Sequence, residues 1–403
     1  MSERESFGVV LRRARERAGM TQGALAGLVG KSVGQISRLE SGERNPHFEL
    51  VRACEAALGC AGELLPAFEA SRRADGPPGA WTRRRVLCAS AGAALSSLLP
   101  LGLPARAGAA DEGVLAGLRE CFLHARQMGQ RGDANMALAL LPGVCAGAQQ
   151  QALGTGDEAA RRSALRLGAR SAEYAAWMQQ EAGDAGMAER WITLAEQMAK
   201  ESGYTELLPN LVLRRALIAY YAGWARRTIE LTEALVGDER IDPRVRCRAA
   251  QRQAQGYALA FDEANSRRSV DRARSLAVAE EPDAMALGSI HVPDQVSMTE
   301  GWCATELGEH EKAISLLDKE IDRLAPDARR ARARFGIRAV LSCVGAEDLR
   351  GAHLRLGRFA DDIQAVGSAT VALDVRQCSR SLRRYRGEGQ AVELAERLER
   401  LAS

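Results

Sequence analysis

Lysine is nearly missing from this 403-residue chain: it stands only at Lys31, Lys200, Lys312 and Lys319, although Lys and Arg together number 55. Positive charge is carried by Arg, a codon bias with no functional content of its own. Aromatic residues are scarce too, at 4% against 46% hydrophobic. Apolar positions are left to Ala and Leu, strong helix formers, which predicts a mostly α chain. A net charge of +3 excludes a globally basic surface, so any electropositive face must be local. The nine Cys are scattered and include no C-x-x-C pair. That excludes a disulfide framework or zinc site and fits buried thiols of a reduced cytosol. The five His show no H-E-x-x-H spacing, and there is neither a Gly-rich phosphate loop nor a Gly-x-Ser-x-Gly elbow. No catalytic constellation, metal site or cofactor is therefore expected. The opening MSERESFGVV is charged and runs into a helix, unlike a signal peptide.

What is present divides the chain. At this length one core seldom suffices, and composition separates residues 1–72, 73–112 and 113–403. In the first segment, Phe7 to Arg17 reads as an amphipathic helix with Phe7, Val10, Leu11 and Ala14 on one side, ended by Gly19. Thr21 stands where an N-cap belongs, ahead of a helix from Gln22 to Val29. Ser32 caps the next, Val33 to Glu40, with Ile36 and Leu39 inward, and Pro46 opens a fourth helix over 47–58. Helix, short turn, helix is the unit that presents its second helix to a major groove.

The segment TQGALAGLVGKSVGQISRLESGERNP resembles, nearly position by position, the Cro and phage-repressor (Xre) helix-turn-helix family. The resemblance covers about the first 65 residues. It implies a five-helix domain that binds double-stranded DNA as a homodimer. Thr21 and Gln22 would hold a phosphate. Lys31, Ser32 and Gln35 would flank the groove, and Val33, Gly34, Ser37 and Arg38 would face base edges, with Arg38 bidentate to guanine. Val33 and Gly34 depart from the polar residues common in the family, leaving a thymine methyl against Val33 as the substitute. Arg44 and Asn45 would touch the flanking backbone. The family also pairs the residues found here as Arg15 and Glu40.

From Gly76 to Ala110 there is no acidic residue. Thr82 to Leu87 resembles a twin-arginine export signal, and Val86 to Ala105 is uncharged and about 20 residues long, the length that spans a bilayer. Export conflicts with the domain in front of it. Pro100, Pro104 and the Ala, Ser and Gly content point to a linker packed on the C-terminal segment, in a cytoplasmic protein. A membrane-tethered interaction scaffold with an accessory DNA-binding domain is the alternative.

The third segment contains helical hairpins. GWCATELGEHEKAISLLDKEIDRLAP, from Gly301 to Pro326, resembles a tetratricopeptide repeat, with Trp302, Leu307, Gly308, Ala313 and Pro326 at the repeat's positions. Turns fall near Gly132, Gly183, Gly223, Asp262, Gly308 and Gly345, about 40 residues apart. Stacked hairpins of this kind form an α-solenoid with a concave inner face, here capped by a final helix from Ala391 to Leu401. The whole layout is similar to that of the peptide-pheromone-responsive regulators, which hold a peptide through Asn side chains. The resemblance implies a peptide, small-molecule or protein ligand in the groove. Asn210 is placed at the start of NLVLRRALIAYY, with Asn135 and Asn265 as further Asn candidates. Arg214, Arg215, Arg248 and Arg252 are candidates for an anionic group, Arg248 and Arg252 lying one turn apart.

Overall fold

The computed structural model describes residues 6–44, 46–60, 62–68, 112–132, 134–278, 292–385 and 387–402, and among these the secondary structure is helical, with no strand. The N-terminal domain contains α1 (Phe7–Arg17), α2 (Gln22–Leu28), α3 (Val33–Glu40) and α4 (Phe48–Leu58), followed by a fifth helical stretch over 64–68. Its core is Leu11, Leu25, Ile36, Leu39, Val51 and Leu64, all buried. The expected caps are in place. Thr21 Oγ1 accepts from the Ala24 amide at 3.1 Å, and Ser32 and Gln35 form a reciprocal capping box. The fourth helix is capped by His47, whose Nδ1 accepts from the Leu50 amide. α1 crosses the end of α3 backbone to backbone at Gly8, where a Cβ would lie 2.6 Å from the Leu39 and Glu40 carbonyl oxygens.

The second body comprises α5 (Glu112–Arg131), α6 (Ala134–Gly154), α7 (Glu158–Glu181), α8 (Ala185–Glu201), α9 (Leu207–Tyr221), α10 (Ala225–Gly237), α11 (Pro243–Leu259) and α12 (Glu263–Leu276). It continues through α13 (Gln295–Leu307), α14 (His310–Ile321), α15 (Arg329–Gly345), α16 (Leu349–Val366) and α17 (Ala369–Ser381), a 3-10 turn at Leu382–Tyr385 and α18 (Gly389–Ala402). Neighbours in sequence pack as hairpins. The breaks coincide with the six expected turn points. The chemistry repeats as well: Asp157, Asp184, Asp242, Asp262, Asp294 and Asp348 each cap a helix by accepting a backbone N–H.

An open groove was the expectation for this solenoid, but the array curls until its ends meet. α15 returns against α5, and α17 against α7. Arg330 donates to the Gly129 and Gly132 carbonyls, each at 2.6 Å, and Arg131 pairs with Asp327 at 2.8 Å. At the junction Glu181, fully buried, accepts from Arg330 at 2.7 Å, from Arg334, and from Ser368 Oγ at 2.7 Å. The concave face is thereby turned into the wall of a cavity inside the ring that stays partly open to solvent. No described helix is long and apolar enough to cross a membrane. The segment 86–105 on which the tether was considered lies outside the described residues.

Burial raises the pKa of Glu181 and of Glu173, but the arginines around each more than offset it, leaving both at about 2. An unfolded Glu titrates near about 4.3. Both carboxylates are therefore depressed on folding, so their stabilisation is complete above that value and is lost as pH falls from about 4 toward 2. Urea unfolding should show the midpoint dropping across this window. Glu181→Gln should cost about 3 kcal/mol at pH 7 and flatten the acid limb. An unchanged acid limb in Glu181→Gln would mean the ring is closed by something else.

Candidate nucleic-acid interface

The scaffold under α2 and α3 is an ion pair. Arg15 donates from Nε to Glu40 Oε1 at 2.5 Å and from Nη2 to Oε2 at 2.9 Å, while its Nη1 donates to the Met20 carbonyl. Burial raises the Glu40 pKa, and the bonds from Arg15 and Gln22 pull it below the ordinary value. Two of the candidate side chains bond within the domain. Gln22, expected to reach a phosphate, donates its side-chain amide to Glu40 Oε2 at 2.9 Å. Gln35, expected beside the groove, has its side chain committed to the Ser32 backbone N–H at 2.8 Å. Both amides build α2 and α3 rather than reach outward. Thr21 is exposed beyond its capping bond, and Ser32, Val33, Gly34 and Ser37 form an exposed face of α3, with Val33 51% exposed.

The three cations among the candidates behave differently, because all are turned against the repeat array. Lys31 Nζ donates to the Ala260 carbonyl at 2.5 Å and lies 5.7 Å from the Phe261 ring centre. Arg44 is 6% exposed; it stacks 3.5 Å over that ring, donates to the Ala258 carbonyl at 3.1 Å and lies 3.8 Å from Glu306. Arg38 is half-buried beside the turn after α13, so close that a Cβ at Gly308 would collide with its Nη1. Its Nε and that of Arg44 are buried without a hydrogen-bond partner among the described residues. Burial lowers the Lys31 pKa, and it pulls Arg44 down to about 9 with only partial relief from Glu306. The seam continues through Phe48 N–H to the Gly223 carbonyl, Ser381 to the Glu43 carbonyl, and Arg384 to the Glu43 carboxylate at 2.8 Å. Asn45 lies outside the described residues.

The ligand candidates Asn210, Arg214, Arg248 and Arg252 all line the internal cavity, whose volume is about 460 Å³. Asn210 does not begin its helix; α9 starts at Leu207. Asn210 and Arg214 both donate to Glu173, at 3.1 and 2.6 Å, so these two are part of the wall's own network. Arg215 pairs with Glu189 and Glu196 instead, and Asn265 donates to Asp262. Neither these two nor Asn135 is among the cavity's lining residues.

Residues 6–68 match the helix-turn-helix domain family. No curated protein and no solved structure matches the chain. The helix-turn-helix domain supports a DNA-binding regulator, and the repeat array is described by its helices alone.

Within the helix-turn-helix domain, Glu40 is the shared acceptor on which α1, α2 and α3 converge. Glu40→Ala leaves Arg15 buried without its carboxylate and Gln22 without its acceptor. The expected loss is about 3 kcal/mol, confined to this domain. Amide hydrogen exchange should lose protection across residues 7–58 while α7 and α15 keep theirs. Full protection retained in α1 to α3 would remove the pair from this role.

Proposed function

We propose that the chain is a sequence-specific transcription regulator, dimeric on a two-fold operator, whose repeat array masks part of its DNA-binding charge until a ligand in the cavity releases it. The carrying observation is that Lys31, Arg38 and Arg44, the cations assigned to DNA by resemblance, are the ones the array engages. With Arg44 buried between Phe261 and the Ala258 carbonyl, a phosphate has no access to its guanidinium. Each cation serves one partner or the other, so docking and DNA binding compete.

The competition is balanced closely enough to be switched. Arg44 carries five donors yet, among the described residues, donates one hydrogen bond in the seam and sits loosely by Glu306. Phosphate oxygens would satisfy it better. The exposed face of Ser32, Val33, Gly34 and Ser37 supports a readout surface that is left open while the flanking charges are held back. One module buries too little surface for typical specific affinity, which favours a dimer with half-site centres about 10 base pairs apart.

Phe261 anchors the seam and is not itself a candidate DNA contact. Phe261→Ala should therefore raise operator affinity by about tenfold, a coupling of about 1.4 kcal/mol. Arg38→Ala should cost about 1 to 3 kcal/mol and relax preference at one base pair per half-site. Footprinting of the genome-bound protein supplies the operator, and titrations across a salt series read both variants. If Phe261→Ala leaves affinity unchanged at every salt concentration, masking is wrong. If Arg38→Ala weakens all operator variants alike, Arg38 contacts backbone only.

A further inference from the structure

We propose that the ring's internal cavity binds a small organic anion, a carboxylate or phosphate carried on a planar apolar body, with Arg252 as the anchoring cation. The size is that of a single-molecule pocket, at about 460 Å³. Its charge is one-sided. Arg131, Arg214, Arg248, Arg252, Arg330 and Arg334 line it, against Asp327 as the lining carboxylate among the described residues. Behind the wall Glu173 serves both Arg170 and Arg214, and Glu181 serves both Arg330 and Arg334, so two carboxylates answer four guanidinium groups.

Arg252 stands apart in this network. It donates to the Gln255 side-chain oxygen at 2.5 Å, and no carboxylate among the described residues pairs with it. Burial, reinforced by the nearby Arg334 and Arg214, pulls its pKa down to about 10. Arg252 is half-buried; a partly desolvated cation without an anion is costly, and a ligand carboxylate or phosphate would supply the missing partner in the fork geometry that guanidinium prefers. Trp177, Trp302 and Phe335 give the same cavity apolar aromatic surface, suited to a planar body. An uncharged peptide would leave the excess charge unanswered.

The site also touches the seam. Trp302 lines the cavity, and its indole N–H donates to the Tyr220 hydroxyl at 2.7 Å; Tyr220 donates to Glu306 at 2.8 Å, and Glu306 faces Arg44. The regulatory consequence of occupancy rests on the masking described above. Binding itself does not.

The test uses the full chain without DNA, titrated calorimetrically with 2-naphthoate, 2-naphthyl phosphate and the neutral 2-naphthylmethanol. At least one anion should bind with Kd below about 1 mM, and the neutral probe about 10- to 100-fold more weakly. Which anion is preferred distinguishes a carboxylate from a phosphate head. Arg252→Gln should lose about the same factor for the anions alone, with Arg252→Lys intermediate and the exposed Arg226→Gln unchanged. Should Arg252→Gln fail to fold by circular dichroism, the anion-to-neutral comparison on the unaltered chain and the Lys variant decide. Equal binding of neutral and anionic probes, no binding to about 5 mM, or a folded Arg252→Gln of unchanged affinity would overturn the proposal. A bound anion that leaves operator affinity unmoved overturns the masking switch while the site stands.

Discussion

Much of the molecule's architecture depends on one buried carboxylate, Glu181. It sits at the end of α7, and it collects two arginines from α15, the two hydroxyls of Ser368 and Thr370 at the start of α17, and the indole N–H of Trp177 from its own helix. A carboxylate taken out of water costs several kcal/mol unless its lone pairs are answered. Here they are answered from elements more than 140 residues away in sequence, so the charge is tolerable only if the array curls far enough for α15 and α17 to reach it. The polar network therefore specifies curvature in a way that Ala and Leu packing between hairpins would not. Removing one side strands the other.

The same device recurs around the ring. Glu173 holds α7 to α9 through Arg214 and Asn210, and Glu306 joins α9, α13 and α15 through Tyr220 and Arg338. Each is a junction among helices, and Glu306 has a third client in Arg44 of the helix-turn-helix domain. The seam between the two bodies is thus attached to the ring's internal wiring, although its own bonds are few. Phe261 takes part in it at φ 62, a left-handed conformation that costs a bulky residue on the order of 1 to 3 kcal/mol. That strain is sustained by the aromatic ring's contacts with Arg44, Lys31 and His47. The seam is thus built from strained backbone and under-satisfied arginines.

How much of this the sequence discloses depends on range. α1 and α3 match their expected spans, α2 and α4 differ by a residue, and all six hairpin turns stand at the expected places. Those signals are local: apolar periodicity, Ser, Thr or Asp caps, and Gly at a helix end. The Arg15–Glu40 pair was legible because a family resemblance carried it. The bonds of Gln22 and Gln35 within the domain were not legible, because a side-chain amide can satisfy either a phosphate or a neighbouring backbone and carboxylate, and spacing does not separate the two. The closing of the ring and the docking of Lys31, Arg38 and Arg44 join residues some 200 or more apart in many cases. No periodicity encodes such partners. The signal that was available is Phe261, an aromatic placed at a hairpin turn in a chain where aromatics are scarce.

Ring closure also limits what a ligand can do. A molecule in the cavity shifts docking only by the difference in its affinity for the docked and released arrangements. Contacts to Arg252 and Arg248 are made on α11 and need not change between them. Trp302 is different, since the Arg338 guanidinium lies 3.9 Å over its ring and its N–H holds Tyr220 in place for Glu306. A body packed on Trp302 that tilts the indole would alter the acceptor facing Arg44, whereas an anion held by Arg252 alone would be silent. In the proposed switch, affinity and switching would therefore fall on different parts of one ligand: the charged head would supply binding energy, and the planar body the differential term. The interior packing around Trp302, with Tyr220, Tyr221 and Phe335 all edge-on to it, favours a small number of discrete arrangements over gradual deformation.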